Sequence, residues 1–300
     1  MLEFSRKSAV LVICLLLLYI SWGSTFLANK IGLEYFPGFM LTGLRVLIAG
    51  FVLLVYTYVQ GEKSIIKWHD IKLQGLNGFF MVLIASALVS KAQEYSVPSG
   101  VAAILYGAAP IWLMLGEWIF WGGQRPSFKQ AIGLSLGFAA LIWLNVHQGI
   151  SGEASIIGLA MIVLSTFAWV YGSHFSQRHK SSNNLSVLRT TGLLLFLGGI
   201  ETLVLSLAIG ERVDLFNLPS QAYYALAHLV IFSSIIAYST YIWLLFNSRA
   251  IVAISYEYVV PVVAIVLGAI FANENVDVSV AVASAIMIMS VFLITTHNKQ

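Results

Sequence analysis

The sequence predicts an all-α polytopic membrane protein whose ten transmembrane helices form two inverted five-helix repeats. Three observations support this fold class. The composition is too apolar for a soluble chain, ten apolar stretches are long enough to cross a bilayer, and the two halves of the chain match at a nearly constant offset. Together they predict a chain that lies almost entirely within the membrane.

The composition is the first observation. Of the 300 residues, 59% are hydrophobic and only 10% are charged, and the mean hydropathy is +0.88. Soluble chains carry about 25% charged residues, so a soluble fold of this chain could not cover its apolar surface. Lipid removes the difficulty, because an apolar helix face is already in its preferred solvent there.

Ten apolar stretches are separated by short polar connections. A transmembrane helix needs about 20 mostly apolar residues. The stretches that meet this requirement are residues 8–32, 37–59, 73–91, 98–121, 128–146, 154–177, 185–209, 219–245, 249–272 and 276–296. No connection is long enough to hold a soluble domain, so we predict neither an extramembrane enzyme module nor a nucleotide-binding domain.

The chain begins with Arg6 and Lys7, followed by an apolar run from Ala9 to Ile31. A signal peptide has a shorter apolar core of about 7–15 residues and a small-residue cleavage site. This run is too long for such a core. We therefore predict an uncleaved first transmembrane helix.

The sequence lacks the motifs of several other classes of protein. Its one cysteine, Cys14, lies in an apolar run, and its six histidines are scattered without the spacing of metal ligands. No phosphate-binding glycine loop and no Gly-x-Ser-x-Gly nucleophile motif is present. The net charge of +3 is small. We predict that the protein is not an enzyme, holds no cofactor or metal, and does not bind nucleic acid.

Positive charge in the connections predicts the orientation in the membrane, because short cytoplasmic loops carry an excess of Lys and Arg. A cytoplasmic N-terminus places eleven such residues on the cytoplasmic side and only Lys30, Lys91 and Arg212 on the other. An even number of helices returns the C-terminus to the same side. We predict a multi-pass protein of the bacterial cytoplasmic (inner) membrane with both termini in the cytoplasm.

The two halves of the chain match at an offset of 149 to 151 residues. The matched pairs are Trp22–Phe26 with Tyr171–Phe175, Thr42–Leu44 with Thr191–Leu193, Gly50 with Gly199, Ala102 with Ala253, and Pro110 with Pro261. Because each half has five helices, the second half enters the membrane from the opposite side, and the repeat is inverted. We predict repeat boundaries of 1–146 and 147–300. Inverted repeats are typical of secondary transporters, whose sites lie near mid-membrane between the repeats.

Several motifs resemble one family over nearly the whole chain. They are Trp22-Gly23-Ser24-Thr25 in helix 1, Gly43-Leu44-Arg45 in helix 2, Val97–Ala103 opening helix 4, and Ser255–Pro261 in helix 9, followed by Asn273-Glu274. This ordered set is similar to the EamA-type ten-helix exporters of the drug/metabolite transporter superfamily. The resemblance implies helices around a central cavity, alternating access, and export of amino acids, metabolites or drugs.

The chain departs from the family pattern at two positions. The acidic residue after helix 9, Glu274, usually has a partner after helix 4, where this chain has Gly123. The family also often has a small or polar residue where Glu257 stands. These differences predict a one-sided acidic cap and place in doubt any family-wide role for position 257.

Ionisable side chains within a membrane span are expensive and often functional. Those predicted to lie away from the loops are Arg45, Glu117, Glu201 and Glu257. Glu257 lies one turn before Pro261, and a proline frees a backbone carbonyl about one turn earlier. A carboxylate there suits a proton, a cation or a substrate amine, although a structural acid fits equally. We predict Glu257 as the proton-coupling residue.

Arg45 has the repeat mate Leu194 and therefore breaks the pseudo-symmetry. Its guanidinium group either binds a substrate carboxylate or locks two helices together. Trp22 and Tyr171 occupy matched mid-membrane positions, where aromatic rings receive apolar or cationic groups or simply pack. The predicted substrate site consists of Trp22, Ser24, Thr25, Arg45, Tyr106, Tyr171, Ser173, Tyr256 and Glu257.

Two packing features are also visible in the sequence. Gly133 and Gly137 form a Gly-x-x-x-Gly motif on helix 5, which allows close approach by another helix. That partner is either helix 10 or a second protomer, so monomer and homodimer both stay open. Pro110 and Pro261 predict kinks or hinges.

The favoured function is a secondary transporter that exports small metabolites, such as amino acids, or drug-like compounds by alternating access. Proton antiport and the substrate gradient are both open as driving forces. The partners are therefore a small-molecule substrate, the lipid bilayer and, under antiport, protons. The alternative is a channel-like facilitator or a structural membrane subunit without coupled transport. A lipid-modifying enzyme is disfavoured, because no His and Asp cluster near one membrane face.

Overall fold

The chain forms ten helical stretches in the part that the structure, a computed structural model, describes: residues 2–95, 97, 99–147, 155–179, 185–271 and 278–295. They are α1 (Leu2–Leu33), α2 (Gly38–Val59), α3 (Trp68–Gln93), α4 (Ser99–Tyr106 and Ala109–Ile119), α5 (Phe128–His147), α6 (Ile156–Arg178), α7 (Val187–Ala208), α8 (Ser220–Asn247), α9 (Ala250–Ile254 and Tyr256–Phe271) and α10 (Val278–Thr295). Asn273, Glu274 and the predicted one-sided cap lie outside the described residues.

The predicted all-α membrane fold is confirmed. Seven of the described helices are long and apolar enough to cross a membrane, and shorter apolar helices cover 104–119, 128–144 and 250–263 in α4, α5 and α9. Every predicted span overlaps one helix. The start of α1 differs from the prediction by six residues, Leu2 rather than residue 8, and that of α3 by five, Trp68 rather than residue 73. The Asp70 carboxylate accepts the Lys67 N–H at 3.0 Å, which stabilises the polar first turn that hydropathy alone omits.

Helix packing follows the inverted repeat. Two pairs join a helix to its own repeat mate, α2 with α7 and α5 with α10. The remaining major contacts come in matched sets: α3 with α6 corresponds to α8 with α1, and α4 with α6 corresponds to α9 with α1. This is the pattern that a pseudo-two-fold axis in the membrane plane produces.

Glycines bring α2 and α7 into close contact around that axis. A Cβ atom on Gly50 would overlap the backbone of Phe196, and one on Gly199 would lie 2.8 Å from the Leu47 backbone. Gly50 and Gly199 are 149 positions apart, as are Leu47 and Phe196. The two contacts are therefore one contact repeated by the pseudo-symmetry, and the axis passes between these helices.

The partner of the Gly133 and Gly137 motif is α10. A Cβ atom on Gly133 would lie 2.9 Å from the Ser290 carbonyl oxygen, and one on Gly137 would lie 2.5 Å from the Ser290 hydroxyl oxygen. The motif left helix 10 and a second protomer open as partners, and in the structure α10 of the same chain lies against these glycines.

Both α3 and α8 widen into π-helix at the same place in their repeats, Phe79–Ala87 and Leu229–Ile236. In each segment a serine hydroxyl donates to the carbonyl five residues earlier. Ser86 Oγ lies 3.0 Å from the Met81 oxygen, and Ser234 Oγ lies 3.1 Å from the Leu229 oxygen. π-helical turns are rare and frequently occur at functional sites.

Two carboxylates hold the ends of the α2–α7 pair. Glu62 accepts hydrogen bonds from the Ser186 N–H (2.9 Å) and hydroxyl (2.7 Å) at the start of α7. Glu211 accepts from the Met40 N–H (3.0 Å) at the start of α2 and from Lys91 Nζ (2.9 Å). Partial burial would raise the pKa of the Glu62 carboxyl, but the hydrogen bonds from Ser186 and a neighbouring serine bring it below its usual value. Negative charge at a helix N-terminus is stabilising.

Candidate functional site

A cavity of about 240 Å³ lies at the centre of the bundle. We call the end of the bundle where α1 begins and α10 ends the terminal end, and the opposite end the far end. The cavity reaches from mid-membrane toward the far end. The side chains that line it come from seven helices: Trp22, Thr25, Asn29, Arg45, Ser86, Val89, Ser90, Gln93, Ala102, Tyr106, Trp169, Leu229, Ser233, Tyr238, Tyr256, Glu257, Val260 and Pro261.

Six of the nine residues of the predicted substrate site line this cavity. They are Trp22, Thr25, Arg45, Tyr106, Tyr256 and Glu257. They come from four helices, α1, α2, α4 and α9. The inverted repeat brings them together because its axis passes through the bundle centre.

The other three predicted residues lie outside the cavity lining. Ser24 Oγ donates to its own helix, to the Ser21 carbonyl at 2.9 Å. Ser173 is buried and bonds to the Trp169 carbonyl (2.7 Å) and the Tyr241 hydroxyl (2.7 Å). Tyr171 is 38% exposed on the outer side of α6.

Trp169 lines the cavity on α6, where the internal repeat had predicted Tyr171. The two residues are two positions apart, which turns a helix by about 200°. The repeat aligns Trp22 with Tyr171, but α6 presents Trp169 to the cavity instead. A second aromatic residue near mid-span, Trp169, was the available signal, and the repeat alignment favoured Tyr171 over it.

An aromatic cluster closes the cavity on its terminal side. Its members are Trp22, Trp169, Tyr238, Tyr241 and Tyr256. Ring centroids lie 4.4 Å apart for Trp22 and Tyr256, and 5.1 Å apart for Trp169 and Tyr241. Tilted, edge-on and stacked ring contacts of this kind stabilise by about 0.5–1.5 kcal/mol per pair beyond the area they bury. The cluster is therefore a firm wall that presents apolar ring surface to the cavity.

Arg45 is a buried cation held by the π-segment of α8. Its Nη1 atom donates to the hydroxyls of Ser233 (2.7 Å) and Ser234 (3.3 Å). Trp22 Nε1 donates to the carbonyl of the same Ser233 at 3.2 Å. Among the described residues no carboxylate lies within ion-pair distance of Arg45, and its buried Nε makes no hydrogen bond. A buried charge without a partner is strongly disfavoured, so this site has capacity for an anionic group.

Glu257 provides the opposite charge on another wall of the cavity. It lies in the first turn of the second α9 segment, and its buried Oε1 atom accepts no hydrogen bond within the described part of the chain. Tyr106 and Tyr256 line the same cavity. A carboxylate here can receive a proton, an ammonium group or a water molecule.

The remaining intramembrane acids do not line the cavity. Glu117 lies near the terminal end of α4, and Glu201 faces α3, where a Cβ on Gly75 would lie 3.7 Å from Glu201 Oε1. Several polar residues that line the cavity were not predicted from the sequence, among them Asn29, Ser86, Gln93 and Ser233. Single polar residues within apolar spans carry no signal that separates a cavity wall from a helix contact.

Comparison with known proteins gives the same result for the two halves and for the whole chain. The family model described as "EamA-like transporter family" matches residues 9–146 and again 156–296. The chain is 31% identical to an uncharacterized inner membrane transporter, YedA, of Escherichia coli K12, over 93% of this chain and 88% of that protein. It is 24% identical to a probable amino-acid metabolite efflux pump of the same strain, over 74% and 75%.

A solved crystal structure shares the fold. It superposes with a TM-score of 0.77 at 17% identity and covers 97% of each chain. At this identity the likeness concerns the arrangement of the helices and not the activity.

Proposed function

The chain belongs to the EamA-like transporter family, and from this premise we propose that it exports small metabolites such as amino acids, or drug-like compounds, as a secondary transporter. The observation that carries the proposal is the central cavity, where Arg45 has no ion-pair partner and Glu257 Oε1 accepts no hydrogen bond among the described residues. A relative named as a probable amino-acid metabolite efflux pump supports the substrate class.

The cavity suits a zwitterion with an apolar part. In this proposal Arg45 binds the carboxylate, and its planar guanidinium allows two parallel hydrogen bonds. Glu257 binds the ammonium group or exchanges it for a proton. The aromatic cluster packs against the apolar part of the substrate and attracts its cationic part. A volume of about 240 Å³ limits the substrate to a small molecule.

Alternating access follows from the inverted repeat. The cavity reaches toward the far end and is closed by the aromatic cluster on the terminal side. If each repeat adopted the conformation of the other, the cavity would open at the terminal end and close at the far end. With both termini in the cytoplasm, as the charge of the loops favours, the present structure is the state that releases substrate outside.

Proton antiport is the proposed driving force, with Glu257 as the group that carries the proton. The support is positional, since Glu257 is the acid that shares the cavity with the proposed substrate groups. Substrate and proton would then compete for one carboxylate, which links outward substrate movement to inward proton movement. Efflux down the substrate gradient alone is the competing driving force.

Counterflow in proteoliposomes tests this function. Vesicles containing the purified protein are preloaded with a pool of labelled amino acids and related metabolites, with and without a pH gradient. Saturable exchange of one class supports the transporter and names its chemistry, and a dependence on the gradient supports antiport. Exchange that neither saturates nor responds to a gradient favours a channel-like facilitator, and no exchange of any compound favours a structural subunit.

A further inference from the structure

A second recess lies behind the break in α4, on the outside of the bundle. It has a volume of about 190 Å³ and is formed by α4, α5 and α6. Leu105, Ala108 and Trp112 of α4 form one wall, and Phe138 of α5 and Phe167 of α6 face them. The lining is almost entirely carbon, in contrast to the mixed polar lining of the central cavity.

The mouth of this recess faces the hydrocarbon layer. Trp112, Val163 and Phe167 are 41%, 40% and 45% exposed on the surface of the bundle. The Trp112 and Phe167 rings meet at 5.1 Å and form one edge of the opening. All three residues lie at least seven residues from either end of their helices, so the molecules outside the opening are lipid tails.

Polar side-chain groups are scarce in the recess, since only Thr166 and Trp112 among its lining residues carry one. The only hydroxyl in its lining, on Thr166, already donates within the protein, to the Ile162 carbonyl at 2.9 Å and to the Leu105 carbonyl at 3.4 Å. A water molecule needs two to four polar partners to occupy a cavity. The recess therefore favours an apolar occupant.

Different side chains stand at the pseudo-symmetric place on the other side of the bundle. At offset 151, Leu105 corresponds to Tyr256, and at offset 149, Phe167 corresponds to Leu18. Both mates are buried in the main core, with 5% and 0% exposure, and the Tyr256 ring packs against Trp22. The side chains beside the recess are therefore not repeated by the pseudo-symmetry.

We propose that the recess is a binding site for one acyl chain of a bilayer lipid, located behind the break in α4. The other side of the same break faces the substrate pathway, since Tyr106 lines the central cavity. The helix is interrupted between Tyr106 and Ala109. An acyl chain in the recess supports the interrupted turn from the lipid side. This binding does not depend on the proposed export function.

Photolabelling of the full chain tests the site. The protein is reconstituted in nanodiscs that contain a phosphatidylcholine with a diazirine in the middle of one acyl chain. After irradiation, peptide mass spectrometry locates the adducts. We expect adducts to concentrate on Leu105, Ala108 and Phe138, above the level on other lipid-facing helices.

Two variants fill the recess from opposite walls, Ala108→Leu from α4 and Val163→Phe from α6. Each should reduce labelling at these residues to the level of the other lipid-facing surfaces. Ala281→Leu adds the same bulk to an exposed position of α10 and should leave the labelling unchanged. Because Val163 is partly exposed, we expect Val163→Phe to fold even if Ala108→Leu does not, and it then tests the site by itself.

Three results would overturn the proposal. One is labelling spread evenly over all lipid-facing helices. Another is labelling at Leu105 and Ala108 that survives both filling variants. A third is displacement of the label by soluble compounds from the transport pool, which would make the recess part of a substrate route. None of these readouts requires transport, so a failure here is distinct from a failure of the export function.

Discussion

Glu62 and Glu211 lie 149 positions apart and bind opposite ends of the same helix pair. Glu62 accepts from the Ser186 N–H at the start of α7, and Glu211 accepts from the Met40 N–H at the start of α2. Each carboxylate lies in the connection just after one helix of the pair and caps the N-terminal end of the other helix. This reciprocal arrangement ties α2 and α7 together at both membrane surfaces, while glycines bring them together in the middle.

Glu211→Gln should destabilise the folded protein. The change removes the ion pair with Lys91 and weakens the cap on α2, and loss of a helix cap costs about 1 kcal/mol. We expect a lower melting temperature in detergent solution, measured by intrinsic fluorescence. Glu34→Gln, at an exposed position in the connection before α2, is the control and should melt as the parent does. If the Glu211 variant and the parent have the same melting temperature, the cap on α2 does not contribute to stability.

The lowered pKa of the Glu62 carboxyl predicts that the stability of the folded protein decreases at low pH. Because the pKa of its carboxyl is lowered in the folded protein, its contribution is present above the unfolded pKa, about 4.3, and is lost as pH falls through the folded value. The melting temperature of the parent should therefore fall more steeply at low pH than that of Glu62→Gln. Parallel curves for the two proteins would show that Glu62 makes no such contribution.

Gly50→Ala should impair folding, because its Cβ would overlap the Phe196 backbone and separate α2 from α7. Overpacking of this kind costs about 1–3 kcal/mol. The measurement is the yield of monodisperse protein and its melting temperature. Gly75→Ala is a matched control, since its Cβ would meet its nearest neighbour at an ordinary 3.7 Å. Equal behaviour of the two variants would contradict the close approach.

Arg45→Met should weaken transport of substrates that carry a carboxylate. A hydrogen bond to a charged group contributes about 1.5–3 kcal/mol, so the half-saturating concentration should rise at least about tenfold. The amine analogue of the same substrate, which lacks the carboxylate, should be transported as before. Counterflow of the two compounds measures the difference. An equal loss for both would assign Arg45 a structural role, through its bonds to Ser233 and Ser234.

Glu257→Gln should abolish stimulation by a pH gradient while counterflow of the substrate continues, because exchange needs no net proton movement. Uptake of labelled substrate into vesicles with an imposed gradient gives the measurement. Glu201→Gln is the control, since this intramembrane acid lies beside α3 and does not line the cavity. Stimulation that persists in the Glu257 variant would remove this residue from the coupling mechanism.

The helices and their duplication were predictable because both depend on properties that are local in the chain. Apolar length predicts a span, and a fixed offset predicts a repeat, as the Gly50 and Gly199 pair illustrates. Which face of a helix meets the cavity depends on distant neighbours. The repeat pointed to Tyr171, whereas packing of α6 against α3 and α8 places Trp169 at the cavity.

The π-segments were not predicted, and their sequences show why. Phe79–Ala87 and Leu229–Ile236 are apolar runs with a normal helical composition. The wider turn places the Ser86 and Ser234 hydroxyls near carbonyls five residues earlier. Serine forms similar bonds to nearby carbonyls in ordinary α-helices, so composition alone does not reveal the change. The Arg45 partners Ser233 and Ser234 were missed for the same reason.

The position of Arg45 also bears on how such a chain could have arisen. Its mate in the second repeat is Leu194, which is fully buried. A dimer of two identical first halves would carry a second guanidinium at that place, and neither would have an acid beside it among the described neighbours of Arg45. Two halves of different sequence allow one copy to carry the cation while the other carries leucine. A single guanidinium at this place therefore requires two unlike halves, even though the helical framework does not.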